Sequence, residues 1–226
     1  MCGRFAQKLP SSMLVDMYRT RPFMPNAAPN FNVAPTQNVM VIRTDTDKKE
    51  RELALLKWGL VNSWSKTGRM EFNSINAKWE TAATSAAFGS AFKSRRCIIP
   101  ADAFYEWKKL GPGPKPPKQP YAIGRADGAP LSLAGLWEAW KQPDGEWLKT
   151  FTILTIKPNE LMADIHTRMP VIFGAEDIPV WLGEVPGDVA ALRPQCPAEW
   201  LKVWKVSPRV GNVKNNDEAL LEEIET

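Results

Sequence analysis

Most apolar positions of this chain fall in short runs, bounded by Pro, Gly, Asn and Asp, that read as β-strands. Residues 39–43 and 52–58 form two such runs, joined by the polar segment 44–51. Residues 95–100 predict a buried strand with a basic mouth, and 101–107 a turn followed by another strand. Three more runs occupy 121–124, 131–140 and 147–156, with Asp144-Gly145 as a hairpin turn between the last two. Residues 171–173 and 203–206 complete the set. Helical spacing is confined to short stretches: 11–18, capped by a serine; the Ala-rich 82–92; 159–165, with Asn159 as cap; and pieces within 176–182 and 187–192. Proline makes 21–29 non-regular, forbids a helix interior at Pro35, and combines with two glycines to make 110–119 a loop or hairpin connection. Residues 65–70 form a basic, Gly-containing loop. No internal repeat or low-complexity segment interrupts this order. Many strands with few short helices predict the α+β class: a single domain over 1–220, with a curved, mostly antiparallel, barrel-like sheet flanked by short helices, then a loose acidic tail, 221–226.

Composition narrows the class. At 226 residues, with 44% hydrophobic and 24% charged, the chain buries a core that needs neither disulfide nor metal. Its three cysteines are widely spaced, form no Cys-x-x-Cys pair, and point to a reducing, cytoplasmic setting. One histidine and scattered cysteines argue against a zinc site, so no metal or cofactor is expected. No run has the length of a membrane span. Nothing in the pattern marks a dedicated dimer interface, and a monomer is expected. The net charge of +4 is uneven: residues 217–226 carry five acids and no Lys or Arg, which leaves +9 on the rest. A body that basic favours polyanions, nucleic acid first. Ten tryptophans supply both core and stacking candidates, with core packing the better assignment for any one of them.

The candidate chemistry starts at the N-terminus. Removal of Met1 would leave Cys2 as a 1,2-aminothiol, with an amine of reference pKa roughly 8 beside a thiol of roughly 8.5. Such a pair condenses with an aldehyde or attacks an amide. Asn76 and Lys78, two apart in Asn76-Ala77-Lys78-Trp79-Glu80, share a face on an extended backbone. Glu106 lies between Tyr105 and Trp107, where desolvation would lift its pKa toward the range useful for acid–base work. The lone histidine, His166, is followed two residues later by Arg168. Each segment alone has an ordinary structural reading.

Together they form an ordered series: Met-Cys-Gly-Arg-Phe at 1–5, Phe-Asn-Val-Ala-Pro-Thr at 31–36, Trp-Gly-Leu-Val at 58–61, Asn-Ala-Lys-x-Glu at 76–80, Arg-Cys-Ile-Ile-Pro-Ala at 96–101, Phe-Tyr-Glu-Trp at 104–107 and His-Thr-Arg-Met-Pro at 166–170. This series resembles the SOS response-associated peptidase family, the SRAP domain, over nearly the whole chain. The resemblance implies a curved antiparallel sheet with a positively charged channel. It also implies a protein that recognises abasic sites in single-stranded DNA and joins them covalently as a thiazolidine through Cys2. Asn76, Glu106 and His166 would be its catalytic partners. Arg4, Lys78, Arg168 and Trp107 would contact DNA. Reversal of the crosslink, weak abasic-site lyase activity and self-processing ahead of Cys2 are further implications. Two positions depart from the family pattern. Lys78 stands where Arg is usual, losing the bidentate fork, and Asn62 stands where Pro often follows the Trp-Gly-Leu-Val run. Two other readings compete: an N-terminal nucleophile amidohydrolase, which also begins Met-Cys-Gly, and a non-covalent single-stranded DNA-binding module.

Overall fold

The computed structural model describes residues 2–21, 27–45, 47–69, 74–192 and 194–225. Met1, most of the proline-rich 21–29 segment, the last residue of the 65–70 loop, and Phe72-Asn73 ahead of the Asn76 segment lie outside the described residues.

The strands in chain order are β1 (Phe5–Gln7), β2 (Asn30–Val33), β3 (Asn38–Thr44), β4 (Arg51–Trp58), β5 (Asn76–Lys78), β6 (Arg96–Ala101), β7 (Ala103–Lys109), β8 (Lys118–Arg125), β9 (Leu131–Lys141), β10 (Trp147–Ile156), β11 (Met169–Pro170) and β12 (Leu201–Lys205). The α-helices are α1 (Ser11–Tyr18), α2 (Trp79–Ala82), α3 (Gly89–Ser94), α4 (Glu160–Ala163) and α5 (Ile178–Leu182). One sheet has the order β12-β8-β7-β1-β2. In the other, β10, β4, β3, β6 and β9 pair in sequence, and β9 pairs back onto β10, so five strands close into a barrel. All pairings are antiparallel except those of β10 with β4 and with β5. The α+β class and the curved, barrel-like sheet are thus present.

Closure explains why several barrel strands read as continuous apolar runs. Val39 and Val41 face one cluster while Met40 and Ile42 face another; Cys97 and Ile99 alternate with Ile98, and Ile153 with Leu154, in the same way. The first cluster also takes Phe5, Val33, Phe104 and Ile123 from the five-stranded sheet. The second lies under the helices, with Leu14 of α1, Ala82 of α2, Ala91 of α3 and Trp181 of α5. A third, smaller cluster covers the back of the five-stranded sheet: Ala6, Ala103, Tyr105, Ala122, Val206, Val210 and Leu220. Gly135 of β9 marks a tight crossing. A methyl group there would stand 2.7 Å from the Thr152 carbonyl oxygen and 2.4 Å from Ile99 Cδ1, so only glycine fits unless neighbours shift.

Several expectations are corrected. The N-cap of α1 is Pro10, with no side-chain cap, and Ser11 is the first helical residue. The predicted 82–92 helix is two short helices, because Thr84 and Ser85 hydrogen-bond locally to backbone and compete with the helical ladder. Residues 171–173 contribute an isolated bridge, Leu133 to Ile172, after the two-residue β11. The acidic tail is held. Leu220 is buried, Trp204 Nε1 donates to Leu221 O at 2.8 Å, and Ile224 N donates to Lys205 O at 3.0 Å.

Candidate functional site

Cys2 sits just ahead of β1, whose Phe5 pairs with Phe104 of β7, and Tyr105 N donates to Arg4 O at 2.9 Å. The chain before Phe5 therefore runs antiparallel past Glu106. Cys2 is fully buried in the first cluster. Burial drives its thiol far above the ordinary value, and the Glu106 charge adds to that; the Arg4 backbone N–H works against both. Glu106 is itself 3% exposed, and burial raises its carboxyl above the usual range, opposed in part by His166. Its Oε1 lies 3.9 Å from His166 Nδ1.

The strand that assembles the rest is β10. One edge pairs with β5 in parallel, Ile153 opposite Asn76 and Thr155 opposite Lys78. Its other edge, beyond the end of β9, pairs with β11, Thr155 opposite Pro170. Asn76 and the His166–Met169 segment are thereby set on opposite edges of one strand. Ile75 and Ile165, the residues just before Asn76 and His166, both pack on the cluster that holds Cys2. Asn159 caps α4 by accepting from Met162 N at 3.1 Å, and His166 N donates to Met162 O at 3.0 Å, which fixes where the helix delivers the imidazole. His166 Nδ1 lies 3.1 Å from both the N–H and the carbonyl oxygen of Arg168, so the Arg168 backbone fixes the orientation of the ring.

Arg168 clasps the end of β10. Its guanidinium donates to both carboxylate oxygens of Glu80, at 2.7 and 2.8 Å, and to Thr155 O at 2.5 Å. The pair holds the Glu80 carboxyl below its usual range, with the Arg168 hydrogen bond as the main cause. Glu80 is the last residue of the Asn-Ala-Lys-x-Glu motif, so the motif's acid positions the histidine segment across the strand. Replacing it in Glu80→Gln is expected to cost about 1 kcal/mol or less in thermal unfolding, because the pair is partly exposed. The same change is expected to shift the ring-proton NMR signals of His166, which is unambiguous as the only histidine. Unmoved signals would disconnect Glu80 from the imidazole.

Asn76 is buried, yet among the described residues neither its Oδ1 nor its Nδ2 has a hydrogen-bond partner. Each such orphan costs on the order of 1–3 kcal/mol. Asn76 borders a cavity of about 530 Å³ that Asn62, Ser74, Lys78 and Thr155 also line. Lys78 is exposed and forms no ion pair among the described residues.

The other two sites expected to contact DNA are placed differently. Arg4 spends its guanidinium on structure, donating to Asn32 Oδ1 at 2.9 Å, Val210 O at 3.0 Å and Gly211 O at 3.3 Å. Trp107 packs against the third cluster, on the opposite face of β7 from Glu106, as the strand's period of two dictates. The sequence reading missed Glu80 and Thr155 as positioning groups and Ser74 as a cavity residue. Charge opposite Arg168 was the available signal for Glu80. Among the described residues no group of three or more His, Cys, Asp or Glu is placed to hold a metal, and no helix is long and apolar enough to cross a membrane.

Comparison with known proteins places the chain among relatives. The chain is 38% identical to the abasic site processing protein YoqW of Bacillus subtilis (strain 168), over 98% of this chain and 99% of that one. It is 40% identical to YobE of the same organism, another abasic site processing protein, over 80% of this chain and 82% of that one. A crystal structure of a Bacteroides thetaiotaomicron protein, 21% identical, shares the fold with a TM-score of 0.85, covering 99% of this chain and all of that one. The family model for SOS response associated peptidases (SRAP) matches residues 1–213, and the chain belongs to that family.

Proposed function

We propose that the protein senses abasic sites in single-stranded DNA and forms a covalent crosslink to them through Cys2. The observation that carries this reading is the grouping of a buried Glu106, its carboxyl raised above the usual range by burial, with the imidazole of His166 beside the one cysteine that can become an aminothiol. Similarity to two proteins named for abasic site processing supports it. Met1 precedes Cys2, so the aminothiol exists only after Met1 is removed.

The steps follow from the groups present. His166 assists proton transfer as the abasic deoxyribose opens to its aldehyde. The Cys2 amine, oriented by Asn76, adds to C1′, and the carbinolamine loses water to give an imine. The thiol then adds to the imine carbon and its proton passes to the nitrogen by way of Glu106, closing a five-membered thiazolidine. One water is released overall, and protonation of the ring by Glu106 starts the reverse reaction. The imine also permits β-elimination at the 3′ phosphate, so slow strand cleavage competes with ring closure. Lys78 binds a flanking phosphate, and affinity falls as salt rises. Met1 is the residue that self-processing would remove, a step an ordinary methionine aminopeptidase can also perform.

The test is a denaturing gel of untagged protein incubated with single-stranded DNA bearing one abasic site. A heat-stable adduct is expected, absent when an N-terminal tag is left in place. No adduct from protein whose Cys2 is verified as the first residue overturns the reading, and glutaminase activity in its place would favour the amidohydrolase alternative.

A further inference from the structure

The cavity beside Asn76 is larger than an amine or a deoxyribose requires. Its walls come from the loop after β4, from β5 and from the α2–α3 connection, and include Leu60, Asn62, Ser74, Asn76, Lys78 and Phe88. At about 530 Å³ it falls within the range of small-molecule sites. Its lining pairs apolar surface, from Leu60, Ala77 and Phe88, with unsatisfied polar groups. Asn62 Oδ1, Ser74 Oγ and both polar atoms of Asn76 are buried without a hydrogen-bond partner among the described residues. Ser74 and Asn76 are 8% and 6% exposed. Buried polar atoms are normally paired, and three such residues around one cavity mark groups waiting for a ligand. Arg69 and Lys78 line the same cavity without an ion pair among the described residues, and Trp64 on the adjoining loop is 62% exposed.

An apolar wall, unpaired polar side chains and cations match one chemical class: a nucleobase whose own phosphate stays at the surface. We propose that this cavity receives the unpaired base of a nucleotide next to the abasic site. Phe88 and Leu60 provide the apolar contact, Asn62 and Ser74 hydrogen-bond the base edge, and Arg69 and Lys78 hold the phosphates. Asn76, on the shared wall, links the base in the cavity to the reacting centre. The proposal rests on the abasic-site reading above and adds a base-dependent component to it. Binding then depends on whether the lesion's neighbour has a base at all, and differs among the four bases because the polar groups at the wall are fixed.

The experiment measures adduct formation against DNA concentration for abasic oligonucleotides in which the neighbouring nucleotide, on one side and then the other, is replaced by a base-free tetrahydrofuran spacer. Removing the base on one side is expected to raise the half-saturating DNA concentration about tenfold. The rate at saturation should stay the same. The double variant Asn62→Leu/Ser74→Ala is expected to show the weaker binding already and to be indifferent to the spacer. Its wild-type rate on spacer DNA verifies that it folds. Should the variant misfold, the wild-type spacer series decides alone. Equal half-saturation for base and spacer on both sides, or a variant that loses as much on spacer DNA as on base-containing DNA, overturns the cavity proposal and leaves the crosslinking reading intact. Absence of adduct on every oligonucleotide overturns both.

Discussion

Cys2→Ser is expected to convert a stable crosslink into strand cleavage. The serine variant keeps the α-amine and so forms the imine, but its hydroxyl is a far weaker nucleophile than a thiol and the ring does not persist. The imine then partitions to β-elimination. On a denaturing gel the heat-stable adduct should be lost, because the step that closes the ring has no competent nucleophile. Nicked product should rise over the same time course. Cys2→Ala should behave alike, and borohydride trapping should recover the imine in both. A heat-stable adduct that survives either substitution would refute the thiazolidine. The structure adds a condition. Cys2 is fully buried and its thiol is held protonated by burial and by Glu106. On the proposed mechanism the sulfur enters as a thiol that must hand its proton on, and Glu106 is the proposed acceptor.

Glu106→Gln tests that proton path and carries a stability signature with a definite sign. Loss of a positioned acid–base group costs about 100- to 10,000-fold in rate. Formation and reversal of the adduct should fall together, because one group serves both directions. The carboxyl's folded pKa lies above its unfolded value, chiefly through burial. The folded state thus holds the proton more tightly, and its stabilising effect is complete at low pH. It is lost as pH rises from the ordinary carboxylate range through the raised folded value. Glu106→Gln, which cannot ionise, should abolish that pH dependence and unfold at a higher temperature than the wild type at neutral pH. Normal crosslinking and reversal rates in the glutamine variant would remove Glu106 from the mechanism. An unchanged pH dependence of unfolding would assign the titration to another group.

What could be read from the residues alone divides along physical lines. The barrel strands were legible because both of their faces are buried: Val39-Met40-Val41-Ile42 and Cys97-Ile98-Ile99 are unbroken apolar runs. β1 and β2 were not, since three or four residues including Gln7, Asn30 and Asn32 carry no periodic signal, and their pairing depends on partners 23 to 99 residues away. The site's residue types were legible as motifs, whereas their states of engagement were not. Arg4 and Arg168 read as free cations and are in fact tied to carbonyls and to Glu80. Trp107 could have been separated from Glu106 beforehand, because adjacent residues of a strand face opposite ways. The tail's composition suggested a loose end, but Leu220 and Leu221 pack behind the five-stranded sheet and outweigh its charge.

That anchored tail has an electrical consequence. The C-terminal segment lies on the back of the five-stranded sheet, over Tyr105 and Ala122, while Glu106 looks out on the front. Five carboxylates in residues 217–226 are thus parked behind the sheet, where they cannot sweep across the front and compete with an incoming polyanion. Part of that charge is already matched there, with Arg209 paired to Asp217 at 2.7 Å and Lys202 to Glu223 at 3.7 Å. A tail held and partly paired in this way repels an approaching polyanion less than a loose one would, on a length scale set by the Debye screening of the buffer.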